Sequence, residues 1–278
     1  MANKHLKNQS IVNIRNDLNN SLNELKYKDL SAKIIVGHYH LFKNAGTSVD
    51  TILENSFSSY WKTVEFNKKY GKSNSPLVKE WLLNNLEISA FSSHTALFPI
   101  PVIDSIFIIP IVFLRHPIDR IWSIYKFERK HKIILNSSIK LAKKYDFACY
   151  LNHQLDRQDN RSFRNFQTYR FSFLNIQQNS TELEKALSGF NSLPLVGIVD
   201  HFDLSMKLFK DIIIKYFPSF QVKPTHKNIT SHQNLSLEEK LDLIKSSLDS
   251  STYERLLESN DEDLKLYNEA KRKLLSTK

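Results

Sequence analysis

A single cysteine, Cys149, stands among the 278 residues of the chain. An internal disulfide is therefore impossible, and a zinc site built from several thiolates is excluded. Long apolar runs are also missing. The richest, Ile100 to Leu114, carries Pro101, Asp104 and Pro110 and falls short of the ~18 uncharged residues that a spanning helix needs. Residues 1–20 are polar and rich in asparagine, without the apolar stretch of a secretory signal. These absences predict a soluble chain with no transmembrane segment, in a reducing cytoplasm. Internal repeats and low-complexity linkers are lacking too. No RNP, zinc-finger or helix-turn-helix signature is visible, so nucleic acid is not an expected partner.

What is present reads as globular. Hydrophobic residues make up 41% and aromatics 12%, enough for a packed core without staples. The net charge of +10 favours anionic partners: nucleotide, nucleic acid, membrane surface or polyanionic glycan. Solubility alone also accounts for such a charge.

Residues 1–30 form a polar lead-in with one weak helical pattern over Ile14–Leu25, and 31–278 read as one domain. Lys33–Tyr39 has strand length and character. A loop with Gly46 follows, and Thr47-Ser48 stands where a helix cap belongs, before Val49–Leu53. Asn67–Ser75 is a basic loop, Leu82–Leu86 belongs to a short helix, and Ile88–Phe91 is a second strand ending near His94. Ile111–Leu114, entered after Pro110 and closed by Arg115, is the most strand-like run. Pro117 then suits an early helix position, with the helix continuing through Ile121, Trp122 and Tyr125. Leu195–Val199 is a fourth strand, followed by a helix over Ser205–Tyr216. Ser236-Leu-Glu-Glu239 is a capping box, and Leu264–Leu275 supplies a last helix. Strands alternating with helices predict an α/β fold with a central, mainly parallel sheet flanked by helices.

The loop Phe42-Lys43-Asn44-Ala45-Gly46-Thr47-Ser48 has the strand–loop–helix setting of a phosphate cradle. It offers the point charge of Lys43, close backbone approach at Gly46, and two hydroxyls. It is not a G-x-x-x-x-G-K-S/T loop, because the lysine precedes the glycine. A plain turn and helix cap fits the heptamer as well. A second segment, Phe113-Leu-Arg-His-Pro-Ile-Asp-Arg-Ile-Trp-Ser-Ile-Tyr125, ends a strand on Arg115 and places Ser123 in the next helix. An arginine fork with a hydroxyl suits a phosphate monoester, although Arg115 and Arg120 are also placed for an ion pair with Asp119 or another carboxylate. Two phosphate sites imply a nucleotide phosphorylated at both ends.

Together with His40, the first loop resembles the 5′-phosphosulfate loop of sulfotransferases, H-x-P-K-T-G/A-G-T-S. Phe113–Tyr125 is similar to their 3′-phosphate motif, F-L-R-D/E-P-x-x-R-x-x-S-x-Y. The family is the carbohydrate type related to the heparan sulfate 2-O- and 6-O-sulfotransferases. Asn165–Arg170, Val196–Asp203 and Asp263–Tyr267 are further echoes in the expected order. Phe42 stands for the usual proline, Asn44 for threonine and His116 for the acid after arginine. The resemblance implies a P-loop-like three-layer fold and PAPS as sulfuryl donor, with PAP as product and no metal. It implies that Lys43, Asn44, Ala45, Gly46, Thr47 and Ser48 hold the 5′ end and that Arg115 and Ser123 hold the 3′-phosphate. Lys43 would stabilise the bridging oxygen, with Asn44 retaining the donor role of threonine. His94, in a segment resembling the family's G-H with Ser93 for glycine, would be the base for the hydroxyl of a saccharide or glycolipid acceptor; a loop histidine bonded to backbone is the plainer reading. An ATP-using kinase-like enzyme and a non-catalytic polyanion-binding module are the alternatives.

His38 and His40 share one face of the first strand without a third ligand in view, so a metal is not expected there. Lys126, Arg129, Lys130, His131 and Lys132 read as a solvated helix face or an acidic-glycan groove. Lys223 and Lys227 fall in a late loop that approaches the nucleotide in the resembled family.

Overall fold

Alternation fails along Lys33–Tyr39 because both faces of this strand, β1, are covered in the computed structural model, which describes residues 32–66, 73–175, 179–222 and 235–276. Near-continuous burial of that kind is what a central parallel strand requires. β2 (Trp61–Thr63), β3 (Ala90–Ser93) and β4 (Ile106–Ile111) complete a sheet in the order β2-β3-β1-β4, all parallel. The chain runs on through Val112 into β5 (Phe113–Leu114), which takes β6 (Gly197–Ile198) as a parallel partner. The Gly197 N–H donates to the Val112 carbonyl at 2.9 Å and joins the two ladders.

The expected α/β architecture is therefore present, and helices flank the parallel sheet. α1 (Gly46–Phe57) follows β1, α2 (Ser75–Leu83) precedes β3, and α3 (Pro117–Lys130) follows β5 with Pro117 at its first position. A helical layer follows: α4 (Ser137–Lys144), α5 (Phe147–Leu155), α6 (Phe166–Phe171) and α7 (Glu182–Ser192). After β6 come α8 (Phe202–Ile213), α9 (Leu237–Ser246), α10 (Ser250–Glu258) and α11 (Asp261–Leu275). One apolar cluster surrounds the sheet, with Ile35, Val36, Phe91, Ile108 and Phe113 at its heart. A second lies beneath α3, where Ile118, Ile121 and Ile124 meet Phe147, Tyr150 and Leu256.

Several element boundaries differ from the sequence expectation, each for a local reason. β4 starts at Ile106 and holds Pro110 inside it rather than before it. Along this stretch β1 is its only strand partner among the described residues, and an open edge tolerates a residue without an N–H. α2 begins at Ser75, with Pro76 in its first turn, and stops at Leu83. There the Asn85 side chain donates to the Trp81 carbonyl at 2.8 Å and closes the helix. β3 extends to Ser93, so His94 leaves the sheet at its C-terminal end. The helix expected over Ser205–Tyr216 starts earlier, at Phe202. The capping box forms as expected, with Glu239 N–H on Ser236 Oγ at 3.1 Å and Ser236 N–H on Glu239 Oε2 at 2.6 Å. The Ile14–Leu25 helix and the Lys223 and Lys227 loop lie outside the described residues.

Candidate active site

The loop between β1 and α1 turns twice through the left-handed region, at Lys43 (φ 65°) and Ala45 (φ 62°). Left-handed backbone at residues other than glycine costs roughly 1–2 kcal/mol each, and such outliers collect at functional loops. The helix cap is Ala45, not Thr47 or Ser48, and no side chain caps the helix start. The Ala45 carbonyl accepts from the Ser48 N–H (3.0 Å) and the Val49 N–H (3.3 Å). The N–H groups of Gly46 and Thr47 find no backbone acceptor among the described residues. An uncapped first turn at the C-terminal end of a parallel sheet is a place where an anion is stabilised.

Asn44 does not face that anion position. It is 1% exposed, and its amide donates inward to the Phe113 carbonyl (2.7 Å) and to Gln167 Oε1 (2.8 Å). Its own N–H is spent on the Leu41 carbonyl at 3.1 Å. The expected ligand role of Asn44 is thus replaced by an anchoring one: it ties the loop to β5. Gln167 brackets Arg115 as well, accepting from its N–H (2.9 Å) and donating to its carbonyl (2.8 Å). The Asp263 carboxylate holds the start of α6 through the N–H groups of Thr168 (2.7 Å) and Gln167 (3.1 Å). Tyr267 bonds Asp200 at 2.6 Å. The three lesser sequence echoes are therefore neighbours in space, and they form the frame behind the loop.

Arg115 joins the two motifs. Its Nη1 donates to the Lys43 carbonyl at 2.9 Å, and its Nε pairs with Asp119 Oδ2 at 2.6 Å. The carboxylate partner left open by the sequence is Asp119, one turn on in α3. Arg120 takes another course: it is fully buried, bonds the Ser162 carbonyl at 2.6 Å and lies over the Phe166 ring at 4.5 Å. The Lys43 ammonium rests 4.4 Å over Phe127. Burial, with Arg115 and Lys126 nearby, lowers its pKa to about 8. Burial also lowers Lys126, opposed by Asp119 and reinforced by Arg115, Lys240 and Lys130. Asp119 itself stays below the usual carboxylate range despite its burial, held there by Arg115. Ser123 is half-buried on α3, four residues from both Asp119 and Phe127 and so on their face of the helix. His116 is kept neutral by burial, with a pKa lowered to about 4. The site thus gathers cations around the uncapped turn.

A histidine cluster lies on the other side of the loop. The exposed His94 meets the His40 ring edge-on, with centroids 3.8 Å apart. Desolvation of the ring where it packs on His40, and the His40 charge, lower the His94 pKa, against Glu65 and Asp50, which leaves the imidazole neutral near pH 7. His94 N–H donates to Glu65 Oε1 at 3.2 Å. His40 is buried beneath α1, and a Cβ at position 46 would lie 1.6 Å from its Nε2. Gly46 is therefore required by the His40 ring, whatever it does for a ligand.

His38 donates to Asp50 Oδ1 at 2.7 Å, and His40 Nδ1 stands 3.5 Å from Oδ2. Asp50, on α1, is the third group that the strand sequence did not reveal. One ligand atom from each of these three residues lies within 4.8 Å of the others, so the trio has the donor types of a metal site. Asp50 is held well below the usual carboxylate range: burial opposes this, and hydrogen bonds from His38 and His40 prevail.

No protein-family model matches the chain. It is 37% identical over 241 residues to an uncharacterized protein of Archaeoglobus fulgidus, covering 84% of this chain and 95% of the archaeal one. The chain belongs to the same family as that archaeal protein. A match of this extent necessarily spans β2 to α8, so His94, Arg115 and Ser123 lie inside it.

Proposed function

We propose that the protein is a sulfotransferase that moves the sulfuryl group of PAPS to a hydroxyl of a saccharide or glycolipid and releases PAP. The observation that carries this reading is the bond from Arg115 to the Lys43 carbonyl. It draws the two cationic motifs to one uncapped helix start, as a donor with phosphates at both ends requires.

PAPS supplies the sulfuryl group, and residues of the chain do the rest. The Gly46 and Thr47 N–H groups, with the Thr47 and Ser48 hydroxyls, hold the 5′ end. Arg115 and Ser123 hold the 3′-phosphate, with Lys126 adding charge. His94 takes the proton of the acceptor hydroxyl as its oxygen bonds to sulfur. Lys43 neutralises the phosphate oxygen that keeps the electron pair when its bond to sulfur breaks. A pKa near 8 leaves Lys43 charged at neutrality yet ready to share its proton. Positioning and fixed charge then supply most of the rate. The lone cysteine fits a cytoplasmic setting.

The test is thermal stabilisation by PAP and by ADP, with EDTA or with magnesium. PAP raising Tm in EDTA supports the reading, whereas a preference for ADP with magnesium moves it to a kinase-like enzyme. A Tm unmoved by either nucleotide leaves a polyanion-binding module. Given PAP binding, Lys43→Ala and His94→Ala are expected to abolish transfer from labelled PAPS while the fold survives. Unchanged turnover in both variants overturns the assignment.

A further inference from the structure

Three consecutive apolar side chains stand in solvent between α3 and α4: Ile133 is 64% exposed, Ile134 57% and Leu135 68%. Their loop is shaped rather than frayed. The His131 ring bonds the Ile133 carbonyl at 2.8 Å, and Asn136 Oδ1 caps α4 by accepting from the Ile139 N–H at 2.9 Å. Exposed apolar residues scattered singly need no explanation, but a contiguous set does.

The surroundings say what fits over them. From Arg129 to Tyr145 the chain carries Arg129, Lys130, Lys132, Lys140, Lys143 and Lys144 and no carboxylate. All six are exposed. Cations flanking an apolar tip match a surface with anionic headgroups over a hydrocarbon layer. The same charge repels a second copy of this chain, and a soluble glycan offers nothing to the three apolar side chains.

The patch is also continuous with the site. His131 packs against Phe127 (ring centroids 5.8 Å apart), Phe127 against Phe42 (5.9 Å), and Lys43 lies over Phe127. Phe42 and Phe127 are 40% and 44% exposed. An apolar strip therefore leads from the phosphate loop to the tip of the loop between α3 and α4.

We propose that Ile133–Leu135 and the flanking lysines dock the protein on an anionic bilayer, the tip entering the boundary between headgroups and acyl chains. Among the described residues no helix is long and apolar enough to cross a membrane, so this is attachment to one leaflet. The strip would bring the site mouth to an acceptor held in that leaflet. Docking itself is independent of the sulfotransferase reading and is tested without substrate.

The full chain is sedimented with phosphatidylcholine vesicles, with and without phosphatidylglycerol, at low and high salt. Wild type is expected to pellet with the anionic vesicles and to be weakened by salt. The triple variant Ile133→Ser/Ile134→Ser/Leu135→Ser should lose roughly tenfold or more in partitioning at either salt, by the apolar area removed. Lys130→Gln/Lys132→Gln should lose roughly fivefold per cation, at low salt only. Unchanged melting of both variants shows that the fold is intact. Wild type left in the supernatant, or a triple variant that pellets like wild type, overturns the proposal. So does a dimer in solution that the triple variant disperses without any vesicle binding.

Discussion

Replacing Gly46 by alanine tests the packing of the loop directly. The added Cβ would lie 1.6 Å from His40 Nε2, 1.9 Å from Cε1 and 2.0 Å from Cδ2. Ordinary contact is about 3.4 Å or more, so the ring would have to retreat by about 1.8 Å. It has little room, because His38 stacks on it with centroids 5.0 Å apart and His94 meets it edge-on at 3.8 Å. Overpacking usually costs about 1–3 kcal/mol, and an overlap this deep belongs in the upper part of that range. Helix propensity returns up to ~1 kcal/mol, since position 46 is the first of α1 and alanine is the better helix former. The net expectation is a loss of about 1–2 kcal/mol, or roughly 2–8 °C in Tm for a chain of this size. In a His40→Ala background the same substitution has space and keeps only the propensity gain, so it should be neutral or stabilising. Urea and thermal melts of the four proteins give the coupling energy. An equal loss in both backgrounds, or none in wild type, would show that the imidazole is not what position 46 accommodates.

Asn44→Ala removes two buried hydrogen bonds from the loop and is expected to cost about 1–3 kcal/mol in chemical denaturation. Adding Gln167→Ala should cost less than the sum of the singles, because both act on one network; strict additivity would contradict the shared frame. Asp50→Asn tests the histidine cluster by pH. A carboxyl whose pKa is lowered by folding adds stability that is present above its ordinary value near 4 and is lost as pH falls through the folded value. The variant should therefore be about 1–3 kcal/mol less stable at pH 7, with the gap closing in acid; a gap independent of pH would count against it. Lys43, with a pKa near 8, is a cation below that pH and neutral above it. If PAP binds as proposed, its affinity should fall by up to roughly tenfold per pH unit above it, and Lys43→Met should flatten that slope in isothermal titration.

The strand–loop–helix order, the apolar run of β1, Pro117 at the start of α3 and the capping box at Ser236 were legible in the residues. Each is set by local rules of burial, φ restriction and end satisfaction, which act within a few positions of the chain. The basic, glycine-containing loop and the arginine ending the next strand were legible as well, because a cation at a strand end already limits the chemistry on offer. Tertiary structure decided which of those residues face a ligand. Asn44 reads as a phosphate donor until β5 and Gln167 arrive from positions 113 and 167 to take its two N–H groups. Asp50 looks like an ordinary residue of α1 until the helix lies beside the histidines of β1. Gly46 reads as room for a ligand, and the fold fills that room with His40. Local sequence fixes backbone shape and charge type at short range. The direction of a side chain depends on partners dozens of residues away, which only the assembled sheet and its helices bring within reach.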